Sequence, residues 1–127
     1  MSNRTVLIIE DNEDIQEIYK IHFESQWFTV ISTLNGLDGI IKTLEISPDI
    51  ILLDIMMPQM DGFEVLETIK NHSSINTPII VCSNLSQESD KHKTFELWAH
   101  LFLVKSDYTG AQVVQKVISF LEKNKSS

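Results

Sequence analysis

The chain has 127 residues, of which 43% are hydrophobic, and its formal net charge is −8. Because a chain of this length usually builds a single core, we expect one domain over residues 1–127, ordered at about 4–122 with a polar tail at 123–127. The acidic balance argues against direct binding to nucleic acid or to anionic lipid, since both need a cationic surface. The single cysteine, Cys82, excludes an internal disulfide and a multi-cysteine metal site.

The cellular location can also be predicted. No apolar run approaches the ~20 residues that span a bilayer. The start, Met1-Ser2-Asn3-Arg4, leads into a short apolar run that lacks the length and cleavage site of a signal peptide. We therefore expect a cytoplasmic protein. Because the chain ends a few residues after the last predicted helix, we also expect no second domain.

Short apolar runs predict the strands. Residues 6–9, 50–53 and 79–82 are apolar at every position and rich in β-branched side chains, which is typical of strands buried on both faces of a parallel sheet. Residues 28–31 and 101–104 are two weaker candidates.

Apolar residues at helical spacing separate these runs. In chain order they are Ile15, Ile18, Tyr19 and Phe23; Leu37, Ile40, Ile41 and Leu44; Phe63, Val65, Leu66 and Ile69; a weaker segment at 86–98; and Val113, Val114, Val117, Ile118 and Leu121. Asn12 or Asp14 is the expected cap of the first helix, and Ser47-Pro48 ends the second. Strand and helix thus alternate five times. Since crossovers are right-handed, we predict an α/β fold, a five-stranded parallel sheet with five helices on both faces.

Polar residues follow four of the five runs. Glu10 and Asp11 follow the first, Asp54 the third, Ser83 the fourth and Lys105 the fifth. The carboxyl ends of parallel strands meet at one edge of the sheet, where the carboxylates would repel one another unless a hard cation such as Mg²⁺ lies between them. Carboxylates, Mg²⁺, a lysine and a hydroxyl are suited to receiving a phosphoryl group on one carboxylate.

These residues also carry a family resemblance. The segment Leu53-Asp54-Ile55-Met56-Met57-Pro58-Gln59-Met60-Asp61-Gly62, with Glu10-Asp11, Ser83 and Lys105 in this order, resembles a receiver domain of a bacterial-type response regulator. The resemblance covers nearly the whole chain and implies the CheY-like, flavodoxin-like (βα)5 doubly wound fold.

The resemblance implies a signalling function. Such a domain takes a phosphoryl group from a histidine kinase or a histidine-phosphotransfer protein in a two-component phosphorelay and switches its binding to a separate downstream protein. It is a phosphoprotein that promotes its own phosphorylation and slow dephosphorylation, and not a turnover enzyme. The implied assembly is a monomer or a weak phosphorylation-dependent dimer, with no direct nucleic-acid or membrane contact.

The resemblance further implies a metal site. Asp11 and Asp54 would ligate Mg²⁺ directly, and Mn²⁺ can substitute for it. The backbone carbonyl of Met56 would be a further ligand, and Glu10 would act through a bound water. No other cofactor is implied.

Four residues receive phosphoryl and switching roles from the resemblance. Asp54 would be the phospho-acceptor, while Ser83 and Lys105 would each hold one phosphoryl oxygen. Ser83 and Phe102 would form the switch, because a hydroxyl drawn toward the phosphoryl group vacates space into which the ring can turn.

Three positions depart from the family pattern. Ser106 stands where the family usually has a proline after a cis peptide, and a cis bond to a non-proline residue costs ~3 kcal/mol. Asn84 stands where a small residue is usual. Trp98-Ala99 replaces a Gly-Ala pair, which removes a glycine suited to a left-handed helix cap. We hypothesise that Trp98 contacts a partner or packs near the fourth helix and fifth strand.

Two apolar residues, Met56 and Leu85, flank the expected site. Hydrolysis of an acyl phosphate needs a water held in line with the bond that breaks, and neither side chain can hold one by hydrogen bonds. We therefore expect a phosphorylated form that decays slowly.

Three other functions compete with this one. A phosphatase of the haloacid-dehalogenase type wants an acid two residues after its nucleophile, where this chain has Met56. A flavin carrier of the same topology would find its phosphate repelled by the acids at 10–14. A degenerate receiver that binds partners without phosphorylation stays open because of Ser106 and Asn84.

Overall fold

A computed structural model describes residues 3–84 and 88–124, with the side chains of residues 88 and 89 left out. Five strands alternate with five α-helices, as the sequence predicts. The strands are β1 Thr5–Ile9, β2 Thr29–Thr33, β3 Ile50–Leu53, β4 Ile79–Ser83 and β5 Leu101–Val104; the helices are α1 Glu13–Glu24, α2 Gly36–Ile46, α3 Gly62–Lys70, α4 Glu88–Glu96 and α5 Gly110–Lys123. The first residues of the predicted segment 86–98 lie outside the described residues.

The sheet is parallel throughout and has the strand order β2-β1-β3-β4-β5. The order reverses between β1 and β3, which are neighbours in the sheet although α1, β2 and α2 separate them along the chain. Because the connections leave this point in opposite directions, a crevice opens beyond the carboxyl ends of β1 and β3. The predicted doubly wound α/β fold is confirmed.

Two apolar clusters cover the two faces of the sheet. One joins alternate residues of the strands to Tyr19 and Phe23 of α1 and to the valines of α5. The other joins the remaining strand residues to α2 and α3. No helix in the described part of the chain is both long enough and apolar enough to cross a membrane.

Helix α2 buries a different face from the one its large apolar residues predict. Leu37, Ile41 and Leu44 are exposed, and of the four predicted residues Ile40 alone is buried. The buried face carries small residues, and a Cβ atom added to Gly39 would lie 2.8 Å from Cγ1 of Ile9. The helix therefore approaches β1 too closely for large side chains, and they point outward.

Helix caps place the helix starts next to the strand ends. The Asn12 side chain accepts a hydrogen bond from the Ile15 N–H, so Asn12, and not Asp14, caps α1. Asp61 and Glu64 form a reciprocal capping box at the start of α3. Because α1 begins three residues after Glu10, the caps leave little freedom to the loop that carries the acids.

Both tryptophans occupy left-handed positions just after a helix. Trp27 has φ 69° and Trp98 has φ 70°, and about two thirds of each side chain is exposed. After α4 the Trp98 N–H donates to the Phe95 carbonyl and the Ala99 N–H donates to the Thr94 carbonyl, which is a Schellman ending. This conformation strains residues that have a Cβ atom, so the missing glycine at position 98 costs backbone energy.

The strain at position 98 can be measured with two variants. Both Trp98→Gly and Trp98→Ala lose the contact between the indole ring and the Lys70 ammonium, which lies 5.5 Å from the ring centroid. Only the alanine retains a Cβ atom. We expect Trp98→Gly to be more stable than Trp98→Ala by about 1 kcal/mol in urea denaturation. Equal stabilities of the two variants would show that the left-handed backbone at position 98 is not strained.

Candidate functional site

Three carboxylates meet in the crevice beyond β1 and β3. Glu10, Asp11 and Asp54 each offer an oxygen, and these oxygens lie within 4.8 Å of one another. Glu10 is 2% exposed and Asp54 is 5% exposed, whereas Asp11 is exposed to solvent. The acids predicted from the strand ends are thus brought together.

Backbone hydrogen bonds place these acids. The Asp54 N–H donates to the Ile9 carbonyl at 3.0 Å, which continues the pairing of β3 with β1 by one residue. The Glu10 N–H donates to the Thr33 carbonyl of β2 at 3.1 Å. Glu10 and Asp54 are therefore held by the sheet itself rather than by a loose loop.

The Lys105 ammonium lies between two of the acids. Its Nζ atom is 2.6 Å from Oε1 of Glu10 and 3.3 Å from Oδ2 of Asp54. The lysine side chain is 15% exposed. Lysine is thus the cation that balances the two buried carboxylates.

The electrostatics of the crevice follow from burial. Burial raises the pKa of Glu10 to about 7, against the lowering effect of the hydrogen bond from Lys105, and the charge of Asp54 adds to the rise in pKa. Burial by itself lowers the pKa of Lys105, but the hydrogen bond that Lys105 donates to Glu10 and the charges of Asp54 and Glu10 outweigh it, so this pKa is raised. The site thus holds a strongly charged lysine and a carboxyl group that ionises with difficulty.

The remaining predicted residues lie around this centre. Ser83 is fully buried at the end of β4 and is paired in register with Val104, the residue before Lys105. Phe102 is half-buried, and the Lys91 ammonium lies 5.9 Å from its ring centroid. The Met56 N–H donates to Oδ1 of Asp54 at 3.2 Å, and its side chain is exposed. Its carbonyl as a metal ligand stays a prediction, and Leu85 lies outside the described residues.

The acids fit a divalent cation. Hard cations take oxygen ligands, and three carboxylate oxygens within 4.8 Å are close enough to share one. The raised pKa of Glu10 comes partly from a neighbouring like charge, which a bound cation would offset.

The Lys105–Ser106 peptide is trans, as is every other peptide bond in residues 3–84 and 88–124. The Ser106 N–H, which a proline would lack, donates to Oδ1 of Asn84 at 2.9 Å. Two departures from the family pattern are therefore in direct contact.

The sequence matches the family described as "Response regulator receiver domain" over residues 6–117. The chain belongs to this family. Receiver domains of this family belong to response regulators, the phosphorylated components of two-component phosphorelays.

Relatives and solved structures agree with this assignment. The receiver domain is 31% identical over 127 residues to the transcriptional regulatory protein SrrA of Staphylococcus aureus, and it spans 51% of that protein's length, so it covers about half of the curated relatives it matches. Among solved structures it is similar to Vibrio cholerae CheY4 (TM-score 0.85, 21% identity, 93% of this chain and 98% of that one). It is also similar to the Francisella response regulator 1452 receiver domain (TM-score 0.87, 24% identity, 97% and 100%).

A third similar structure is the Mn²⁺-bound form of response regulator Rcp1, with a TM-score of 0.83 and 24% identity, covering 97% of each chain. At these identities the solved structures show the shared fold alone. They confirm the doubly wound architecture of the receiver domain.

One residue that positions the site gives no signal in the sequence. The Gln16 amide donates from Nε2 to the carbonyl of Glu10 at 2.8 Å and to the carbonyl of Thr33 at 2.6 Å. It thus ties α1 to the ends of β1 and β2 in this receiver domain. A glutamine among the acids of an amphipathic helix looks like a solvated residue, so this role depends on the tertiary structure.

Proposed function

We propose that Asp54 accepts a phosphoryl group from a histidine kinase or a histidine-phosphotransfer protein. The observation that supports this most is the carboxylate of Asp54 itself, which is 5% exposed, 3.3 Å from the Lys105 ammonium and within 4.8 Å of two further acids. A carboxylate in a crevice with a lysine and a cation site is suited to nucleophilic attack on phosphorus.

The transfer forms one bond and breaks one. A carboxylate oxygen of Asp54 attacks phosphorus, the P–N bond of the donor's phosphohistidine breaks, and the imidazole keeps the electron pair. Lys105 neutralises charge on the phosphoryl oxygens, and the Ser83 hydroxyl donates a hydrogen bond to one of them. Asp11, Asp54 and the Met56 carbonyl would hold Mg²⁺, with Glu10 acting through a water, and the ion would neutralise part of the phosphoryl charge.

Phosphorylation is proposed to switch protein binding. The Ser83 hydroxyl moves toward the phosphoryl group, and the Phe102 ring turns into the space that it leaves. A separate downstream protein then binds the altered surface. The protein acts as a phospho-acceptor and not as a turnover enzyme. The haloacid-dehalogenase alternative needs an acid at position 56, where the structure has an exposed methionine side chain.

A mass measurement tests the acceptor. Incubation with acetyl phosphate and Mg²⁺ is expected to add one phosphoryl group of about 80 Da per chain, and Asp54→Asn is expected to abolish the gain because an amide is no nucleophile. Asp14→Asn is the matched control, since Asp14 is an exposed acid in the first turn of α1.

The control variant is expected to gain the same mass as the wild type. A mass gain in Asp54→Asn would contradict the proposal, and so would the absence of a gain in the wild type. An unphosphorylated wild type would favour a phosphorylation-independent interaction module.

The phosphorylated form is expected to decay slowly. The Met56 side chain is exposed at the crevice and offers no hydrogen bond to an attacking water. We expect a lifetime of minutes or longer in purified protein with Mg²⁺, and a shorter one for Met56→Asn, whose amide can hold a water in line. Loss of the added mass over time measures both lifetimes, and a wild-type lifetime of seconds would refute the expectation.

A further inference from the structure

The turn that carries Lys105 has no cap from its own segment. Residues Lys105–Asp107 form a single 3₁₀ turn after β5, and Val104, which precedes it, makes no side-chain cap hydrogen bond. The turn closes with a long hydrogen bond of 3.4 Å from the Tyr108 N–H to the Lys105 carbonyl. A turn this short leaves its first N–H groups without partners inside it.

A side chain from another strand end supplies that partner. Oδ1 of Asn84 accepts the Ser106 N–H at 2.9 Å, although the two residues are 22 positions apart. Asn84 directly follows Ser83, the last residue of β4, and Ser83 is paired with Val104. The hydrogen bond therefore joins the loop after β4 to the loop after β5, one residue after Ser83 on one side and two residues after Val104 on the other.

The contact links two positions that look independent in the sequence. Position 106 has a backbone N–H because it is not proline, and position 84 has an oxygen acceptor because it is not a small residue. A proline at 106 would leave nothing for Asn84 to accept, and an alanine at 84 would leave the turn uncapped.

We propose that Asn84 is a positioning residue that caps the Lys105 turn and so holds the lysine ammonium over Glu10 and Asp54. The ammonium reaches both acids from the first residue of this turn, so rotation of the turn moves Nζ away from them. Any effect of this cap on phosphoryl transfer rests on the proposed function. The hydrogen bond between Ser106 and Asn84, and its effect on the position of Lys105, do not depend on that function.

Three variants separate the cap from general effects of substitution. Asn84→Ala removes the acceptor, and Asn84→Asp keeps an acceptor oxygen. Ser106→Ala is the matched control, because it removes the hydroxyl but keeps the backbone N–H. All variants are studied as the full chain under conditions in which circular dichroism shows them folded.

The first readout is hydrogen exchange of the residue 106 amide, followed by NMR without metal or phosphoryl donor. We expect exchange in Asn84→Ala to be about fivefold faster, the factor that corresponds to the loss of one hydrogen bond of ~1 kcal/mol. Asn84→Asp and Ser106→Ala are expected to exchange like the wild type. Unchanged exchange in Asn84→Ala overturns the proposal.

The second readout follows Lys105 itself. Acylation of each lysine by acetic anhydride is measured by mass spectrometry, with the exposed Lys123 at the end of α5 as an internal reference. We expect Lys105 of Asn84→Ala to react several times faster than in the wild type while Lys123 is unchanged. Equal reactivity of Lys105 in the two proteins would mean that the cap does not position it.

The third readout is phosphorylation by acetyl phosphate. At saturating Mg²⁺ the rate constant of Asn84→Ala is expected to fall several-fold, and the Mg²⁺ concentration for half-maximal rate is expected not to rise, because the acids stay in place. An unchanged rate constant overturns the positioning role. If the wild type takes up no phosphoryl group, the proposed function fails, and exchange and acylation still decide the cap.

Discussion

Glu10→Gln is expected to stabilise the metal-free protein by about 3 kcal/mol at pH 8. Burial raises the pKa of Glu10 from 4.5 to about 7, so its charge is less favourable in the folded chain than in the unfolded one. One pKa unit corresponds to about 1.4 kcal/mol. Glutamine removes the charge and keeps an oxygen that can accept the hydrogen bond from Lys105.

The sign of the pH dependence follows from the raised pKa. Between pH 4.5 and about 7 the folded chain retains a proton on Glu10 that the unfolded chain has lost. The contribution of Glu10 to stability therefore falls as the pH rises through this window, and its cost is fully present above pH 7. The difference between Glu10→Gln and the wild type should be small at pH 5 and large at pH 8.

Urea denaturation at the two pH values, in the presence of a chelator, measures this difference. Glu17→Gln is the control for removing an acid, because Glu17 is exposed on α1, and it is expected to change stability by less than about 0.5 kcal/mol at either pH. A Glu10→Gln variant that is no more stable than the wild type at pH 8 would show that Lys105 fully compensates the buried charge.

Gly62→Ala is expected to destabilise the protein by about 2–3 kcal/mol. A Cβ atom at this position would lie 2.5 Å from Cα of Ile55 and 2.7 Å from the carbonyl oxygen of Asp54. These are backbone atoms of the segment that carries the proposed phospho-acceptor, so no side-chain rotation can relieve the overlap. The same displacement should slow phosphorylation by acetyl phosphate.

Gly110→Ala is the matched control, because both glycines are the first residue of a helix after a capping box. A Cβ atom on Gly110 would meet Cγ2 of Ile18, a side chain that is 48% exposed and free to shift toward solvent. We expect a change within about 1 kcal/mol, since the gain in helix propensity offsets the adjustment. The stabilities of both variants are measured by thermal or urea denaturation. Equal losses of stability in Gly62→Ala and Gly110→Ala would contradict this reasoning.

Much of the fold was accessible to sequence analysis because it depends on local pattern. Uniformly apolar runs such as 50–53 are specific for strands covered on both faces, and helical spacing marks the segments between them. The polar residues that end successive strands predicted the cluster of Glu10, Asp11, Asp54 and Lys105, since parallel strands end at a common edge. The metal and phosphoryl roles of these residues stay predictions.

Helix α2 shows where pattern fails. Four large apolar residues were expected to face the sheet, but Gly39 allows a close approach to β1, and three of the four point outward. Periodicity records which residues share a helix face and carries no information on the distance between that helix and the sheet. Packing at close range therefore selected the face with the small residues.

The sequence alone determined the order of the elements, the sheet type and the set of residues that surrounds Asp54, because these follow from spacing along one chain. The tertiary structure decided the contacts between distant segments, such as Asn84 with the Ser106 N–H and Gln16 with two strand ends. It also assigned the left-handed backbone to Trp27 and Trp98. Such features depend on the relative position of elements in space, and a hydrogen bond between loops needs only a suitable distance and orientation, which no local pattern encodes.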